Sequence, residues 1–246
     1  MITRLSTACA ALLIATAPAQ ADAVMAAVAA NFTKPAQEIA ALFTAETGHE
    51  VTLSFGPSGQ FFAQITQGAP FEVFLSADAA RPAKAVEGGF AVPGSAFTYA
   101  RGKLVLWSAD PATVTGPEAL DADPEHVAIA DPASAPYGAA AVEVIAALGL
   151  TETLADKIIT GKSIAQAYQF TASGNAPLGF VAMSQVAGDR SGSSWVVPAD
   201  LYAPIRQDAV LLMPGKDDPA AQAFLDFLKT PQAVEIIVKY GYETGE

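Results

Sequence analysis

The chain has 246 residues, with 13 lysines and arginines against 25 aspartates and glutamates, two histidines and one cysteine. A formal net charge of −12 opposes the field of nucleic acid, which recruits basic surfaces, so nucleic acid is excluded as a partner. A local array of N–H dipoles can still hold a small anion against that overall charge.

Arg4 and the amino terminus precede an apolar run from Leu5 to Ala17, and Ala19-Gln20-Ala21 supplies the small residues a signal peptidase requires. Residues 1–21 therefore read as a secretion signal cleaved before Asp22, with a second acceptable site at Ala21-Asp22-Ala23. The run is shorter than the roughly 20 residues that cross a bilayer. Cys9 lies ahead of the apolar core, the wrong side for lipid attachment, and leaves with the signal. The mature chain then has no thiol and depends on its core for stability. Removing residues 1–21 from 246 leaves 225, enough for two modest domains or one large one, and losing Arg4 takes the charge to −13.

The mature chain alternates short β-like runs with small-residue helical runs, the pattern of an α/β protein. Val24–Ala29 reads as the first strand, followed by a helix starting near Thr33 to Pro35 with Ile39, Leu42 and Phe43 on its apolar face. Gly48 stops it, Val51–Phe55 is a strand, Gly56-Pro57-Ser58-Gly59 a turn, and Phe61, Phe62 and Ile65 begin another helix. Val73–Leu75 is a third strand, and a helix occupies Arg81 to Gly88. Further on, Lys103–Trp107 and Val127–Ala130 read as strands, Gly138–Leu148 and Ile164–Phe170 as helices, and Leu178–Ala182 and Ser194–Val197 as strands of a second sheet. The end offers a strand at Ala209–Met213 and helices at Pro219–Leu228 and Pro231–Tyr240.

That last part is too short to bury much surface alone, so it is expected to return to the first domain. The expected division is residues 24–102 with 206–246 as domain one and 103–205 inserted as domain two. Two crossings, near Ala100 to Lys103 and Ala203 to Arg206, would form a hinge.

In open α/β sheets ligands collect at strand ends where helix N-termini converge. Four places have that character: Ala30-Asn31, Ser58-Gly59, Tyr137-Gly138 and Ser163-Ile164. Each lies at or just before a predicted helix start, where backbone N–H groups are unpaired and partial positive charge accumulates. Asn31 can donate through its amide, and Ser58 and Tyr137 through hydroxyls. Such neutral donors suit a fully deprotonated anion, since a protonated one would bring an O–H without an acceptor. Taken singly, each of these residues reads first as a helix cap, a turn or core packing, and only their common placement raises them as ligand donors.

Six segments carry a resemblance: Val28-Ala-Ala-Asn-Phe-Thr-Lys-Pro35, Ser54-Phe-Gly-Pro-Ser-Gly-Gln60, Gly68-Ala-Pro-Phe-Glu-Val-Phe-Leu-Ser-Ala-Asp78, Ala130-Asp-Pro-Ala-Ser-Ala-Pro-Tyr-Gly138, Asn175-Ala-Pro-Leu-Gly179 and Pro231-Gln-Ala-Val-Glu-Ile-Ile-Val-Lys-Tyr-Gly241. In order along nearly the whole mature chain, they resemble the molybdate-binding periplasmic proteins of ABC transporters. The resemblance implies a type II solute-binding fold, in which two α/β domains, each a mixed sheet flanked by helices, close on a cleft. It implies a periplasmic, non-enzymatic monomer that binds molybdate or tungstate through hydroxyl and main-chain donors, without a cofactor, a metal cation or a basic side chain, and delivers it to a membrane permease. The positions that correspond are Ala30, Asn31, Ser58, Tyr137 and Ile164, with Ala30 and Ile164 acting through the main chain. The best-known branch has serine at 31, alanine at 137 and a ligand-contacting tyrosine at 182; this chain resembles the other branch, whose tyrosine comes from the loop before Gly138.

Other readings compete. His49 and His126 form no spacing with a serine that suggests a triad, and no cysteine pairs with them. Ferric iron would need several tyrosines, and of Tyr137, Tyr168, Tyr202, Tyr240 and Tyr242 only Tyr137 stands at a strand end; Tyr240 and Tyr242 read as terminal-helix packing. Gly56–Gly59 lacks the lysine of a phosphate loop. Sulfate has the charge and shape of molybdate and stays open as the alternative oxyanion, while tungstate and molybdate are too alike in size to separate.

Overall fold

A computed structural model describes residues 23–189 and 191–245; the expected signal at 1–21 lies outside them. Strand β1 (Val24–Ala29) is almost wholly buried, as its apolar sequence requires of a strand covered on both faces. One 3-10 turn, Ala30–Phe32, leads into α1 (Thr33–Thr47), which buries Ala36, Ile39, Ala40 and Phe43 at helical spacing. It ends at Gly48, whose φ of 77° and N–H bond to the Thr44 carbonyl form a left-handed cap that favours glycine. Then come β2 (Val51–Gly56), α2 (Ser58–Thr66), β3 (Val73–Leu75), α3 (Ala80–Glu87) and β4 (Phe97–Gly102).

After Lys103 alone, the chain enters a second set: β5 (Leu104–Ser108), β6 (Val127–Ala130), α4 (Pro136–Ala147), α5 (Thr151–Leu154), β7 (Ile158–Gly161), α6 (Ile164–Ala172), β8 (Leu178–Ala182), α7 (Met183–Val186) and β9 (Ser193–Val196). Strand β10 (Ile205–Leu211) and helices α8 (Pro219–Phe227) and α9 (Pro231–Lys239) finish the chain. The first sheet has the order β2-β1-β3-β10-β4 and the second β7-β6-β8-β5-β9. In the first, β10 runs antiparallel between β3 and β4, which returns the end of the chain to the sheet where it began.

The terminal helices are fastened by aromatic packing. Phe43 on α1 meets Phe224 and Phe227 of α8 edge-on, with centroids 5.3 and 5.4 Å apart. Edge-on geometry contributes about 0.5–1.5 kcal/mol per pair, less than the roughly 1.5–3 kcal/mol from burying each such side chain, so burial dominates the attachment.

Both sheets repeat one motif. In the first, β1 lies between β2 and β3 and all three are parallel; in the second, β6 lies between β7 and β8 in the same way. In such an order the connections leave the central strand in opposite directions, opening a crevice at its C-terminal end. Two strands are absent from the sequence reading. Each of them, β4 and β7, is an edge strand with one neighbour and a mixed burial pattern, so neither shows a continuous apolar run. Strand β10 starts at Ile205 rather than Ala209, because the polar Arg206-Gln207-Asp208 reads as a loop although Gln207 and Asp208 are buried.

Candidate functional site

The two crevices face each other. Ala30 and Asn31 follow β1, Ser58 follows β2, Tyr137 follows β6 and Ile164 follows β7, so each sheet presents two helical starts. All five sequence-derived residues line one small cavity, together with Ala29, Gly56, Pro57, Ala77, Ala135 and Pro136. No lysine, arginine, histidine, aspartate or glutamate is among these residues. The first amides of each helical turn have no acceptor within the turn, so the main chain at Asn31, Ser58, Tyr137 and Ile164 brings unpaired N–H groups and partial positive charge.

Local sequence explains the close approach. Pro136 occupies the first position of α4, where its missing N–H costs nothing. A Cβ at Gly138 would lie 2.2 Å from the Ala130 carbonyl oxygen, so only glycine lets α4 start this near the end of β6. Ser163 caps α6 by accepting the Gln166 N–H, which leaves Ile164 at the open end.

The side chains divide their work unequally. Ser58 Oγ accepts the Ala77 N–H at 2.9 Å, so its own proton remains to be donated. Asn31 differs from the sequence expectation of an amide aimed at the ligand. Its Nδ2 donates to Gln207 Oε1 at 2.8 Å and to the Tyr242 hydroxyl at 2.9 Å, which uses both amide hydrogens. What Asn31 still offers the cavity as a donor is its main-chain N–H. Its carbonyl accepts from Ser184 Oγ at 2.7 Å and from Tyr242 at 2.8 Å. Tyr137 Oη accepts from Gln207 Nε2 at 3.1 Å, and Tyr99 donates to Gln207 Oε1 at 3.0 Å.

Sequence reasoning missed Gln207, Tyr99, Tyr242 and Ser184. Tyr242 lies beyond α9 and joins this network in addition to packing in the core with the terminal helices and against the Phe32 ring. Gln207 carries no motif, and only its place on a buried strand reveals it.

Further contacts join the two sheet units around the cavity. Gly59 donates its N–H to the Ser134 carbonyl at 2.9 Å, Arg81 Nη2 reaches the Ala133 carbonyl at 3.2 Å, and Lys34 Nζ reaches that of Gln185 at 3.3 Å. Arg81 also pairs with Asp78, whose Oδ1 accepts the Arg81 N–H at 2.7 Å, so this guanidinium is engaged at the rim. Asp131 holds its own loop by accepting from the Ala133 N–H and Ser134 Oγ.

Electrostatics weigh against tyrosinate chemistry. Burial pushes the Tyr99 and Tyr137 phenols well above their ordinary pKa and Tyr242 to about 12, so all three hold their protons at neutral pH. A ferric site needs phenolates. Tyr168 instead lies against Trp107 with ring centroids 5.2 Å apart, and the Tyr202 hydroxyl accepts the Leu104 N–H. Among the described residues no group of three or more His, Cys, Asp and Glu is placed to hold a metal ion. His49 and His126 lie outside the cavity lining.

Comparison with known proteins extends over nearly the whole described chain. Residues 24–243 match the family model of the bacterial extracellular solute-binding proteins. The molybdate-binding protein ModA of Rhodobacter capsulatus is 72% identical over 228 residues, covering 92% of this chain and 90% of its own. That of Azotobacter vinelandii is 57% identical over 246 residues, covering 98% and 97%. A solved Azotobacter vinelandii periplasmic molybdate-binding protein superposes with a TM-score of 0.88 at 42% identity, covering 91% of this chain and all of the other.

Proposed function

This chain belongs to the bacterial extracellular solute-binding proteins, as a ModA-type molybdate-binding member, and on that premise we propose that it captures molybdate between its two sheets and hands it to an ABC-type permease. The observation that carries the reading is the convergence of helical starts from both sheets, with Ser58 and Tyr137 among their residues, on one cavity without a charged side chain. Donors from the first sheet unit, Ala30, Asn31 and Ser58, meet the anion first. Closure then brings Tyr137 and Ile164, excludes water and strengthens every donor bond in the lower dielectric.

The lobes of this motion are residues 24–102 with 206–246 and residues 103–205, hinged at Lys103 and in the segment leading into β10. Tungstate, with the same charge and nearly the same size, binds the same donors. Phosphate near neutral pH brings a proton that needs an acceptor, and donor-only walls disfavour it. Sulfate offers the right charge but a smaller tetrahedron, leaving buried donors unpaired at about 1–3 kcal/mol each. No step makes or breaks a covalent bond, no cofactor takes part, and the chain works as a monomer in the periplasm after losing residues 1–21.

Thermal unfolding of the mature chain tests this. Molybdate at 100 times its dissociation constant stabilises the folded state by about 2.7 kcal/mol, and sulfate at the same concentration by far less. Equal or absent shifts would remove the reading.

A further inference from the structure

Two segments adjoin the cavity without lining it: residues 78–81, just after Ala77, and residues 131–134, just before Ala135. In the first, Asp78 Oδ1 accepts the Arg81 N–H at 2.7 Å and Oδ2 pairs with Arg81 Nη1, so the start of α3 fixes where the guanidinium lies. Nη2 is left to cross to the second unit, where it donates to the Ala133 carbonyl at 3.2 Å. The receiving loop is fixed in the same manner. Asp131 accepts from the Ala133 N–H at 3.0 Å and from Ser134 Oγ at 2.8 Å, while its own N–H donates to the Gly161 carbonyl of β7 at 2.7 Å. Beside this contact Gly59 donates to the Ser134 carbonyl, and a Cβ at Gly59 would lie 3.1 Å from Arg81 Nη2 and 2.9 Å from Ser134 Cα. Gly59, Arg81 and the 131–134 loop therefore meet at one point of the seam.

We infer that Arg81 is the clasp of the cleft: aimed by Asp78 in one unit and received by the Asp131-held loop of the other, its guanidinium sets how fast a bound anion leaves. Two grooves open on the surface next to the seam, and one of them shares Ala77 and Pro136 with the anion cavity. Ala80 and Arg81 line both grooves, and of the two only Arg81 has a side chain that reaches the opposite unit.

Charge decides which rate the clasp controls. An uncovered cation at a rim acts chiefly on association, through long-range attraction. Asp78 covers the charge of Arg81, so that attraction is weak. The bond to Ala133 joins groups carried by different units and exists only while they are together, so its loss speeds release. Arg81 and Asp78 are partly exposed, and water weakens a bond in that setting, so the effect is severalfold rather than hundredsfold.

This inference rests on the proposed molybdate reading, and the two fail differently. The mature chain is loaded with radiolabelled molybdate and release is timed during a chase with excess unlabelled molybdate. Calorimetry supplies the dissociation constant, so the association rate follows from the pair. Arg81→Met keeps the stem of the side chain and removes its donors. It is expected to speed release about three- to tenfold and to change association by less than about twofold. Asp78→Asn keeps a capping oxygen at α3 and uncovers the guanidinium charge. It is expected to speed release as well and to raise the association rate at low salt, a gain that disappears at about 1 M sodium chloride. On the Arg81→Met background Asp78→Asn is expected to leave release unchanged, since Asp78 acts through the arm it aims. Unchanged release from Arg81→Met, or slower association as its only effect, would overturn the inference while leaving the molybdate reading intact. Equal acceleration by Asp78→Asn with and without Arg81 would do the same. Absence of molybdate binding to the unsubstituted chain would overturn both. Should Arg81→Met not fold, Arg81→Lys keeps the charge but lacks the planar fork that bonds Asp78 and Ala133 at once. It is then expected to speed release at least about threefold, and an unchanged rate would overturn the inference.

Discussion

Gly59 follows β2 of the first sheet and Ser134 follows β6 of the second, and the N–H of the first donates to the carbonyl of the second at 2.9 Å. A Cβ at residue 59 would stand 2.9 Å from Ser134 Cα, a backbone atom that cannot swing aside. Gly59→Ala is therefore expected to hold the cleft ajar and weaken molybdate about tenfold, or about 1.4 kcal/mol. Alanine restricts the unfolded chain and suits a helix, so ligand-free stability should stay level or rise slightly. Calorimetry beside thermal unfolding checks the split; a parallel loss of stability would mean that the contact serves the fold rather than closure.

Ser58→Ala removes a hydroxyl that accepts from Ala77 and has a proton to give. The loss strands the buried Ala77 N–H and one donor bond to the anion, each at about 1–3 kcal/mol. Affinity for molybdate should fall about tenfold or more, with a fall in ligand-free melting temperature as well. Unchanged affinity would take Ser58 out of the site.

For Asn31 the prediction turns on polarity. Asn31→Ala deletes the bonds to Gln207 and Tyr242 but leaves the main-chain N–H. Asn31→Asp keeps the shape, points a carboxylate oxygen at Gln207 Oε1 and adds a negative charge beside the anion. The aspartate variant should bind molybdate more weakly than the alanine variant at pH 7, by tenfold or more in a direct titration. The reverse order would mean that residue 31 is not beside the anion.

Alkali should dismantle the network. The folded-state pKa values of Tyr99, Tyr137 and Tyr242 are raised by burial, the last to about 12 against an ordinary 10.0. The folded chain then holds more protons than the unfolded one above pH 10, so stability falls as pH rises. Their contribution is complete below about pH 10 and is lost as pH climbs through the folded values. Absorbance of tyrosinate, followed with unfolding, should show these phenols ionising only as the chain unfolds. Full tyrosine ionisation in a folded chain would contradict their burial.

How much of this was legible in sequence depended on whether a signal was local. The strands of apolar runs, the helix starts at Tyr137-Gly138 and Ser163-Ile164, and the strand-end positions of Asn31 and Ser58 are short-range patterns, and all five site candidates line one cavity. The direction of the Asn31 amide is not a local property. It is fixed by Gln207 and Tyr242, 176 and 211 residues away along the chain. Edge strands β4 and β7 lacked the apolar continuity by which the buried strands were read. Gln207 was hidden for a related reason: a polar residue in a buried strand looks like a loop until its partners are in view.

The most direct test is calorimetric titration of the mature chain with molybdate, tungstate, sulfate and phosphate in one buffer. The account predicts one site per chain that binds molybdate and tungstate tightly, with sulfate and phosphate at least a hundredfold weaker, about 2.7 kcal/mol. Preferential binding of sulfate or phosphate, or no response to molybdate, would contradict it.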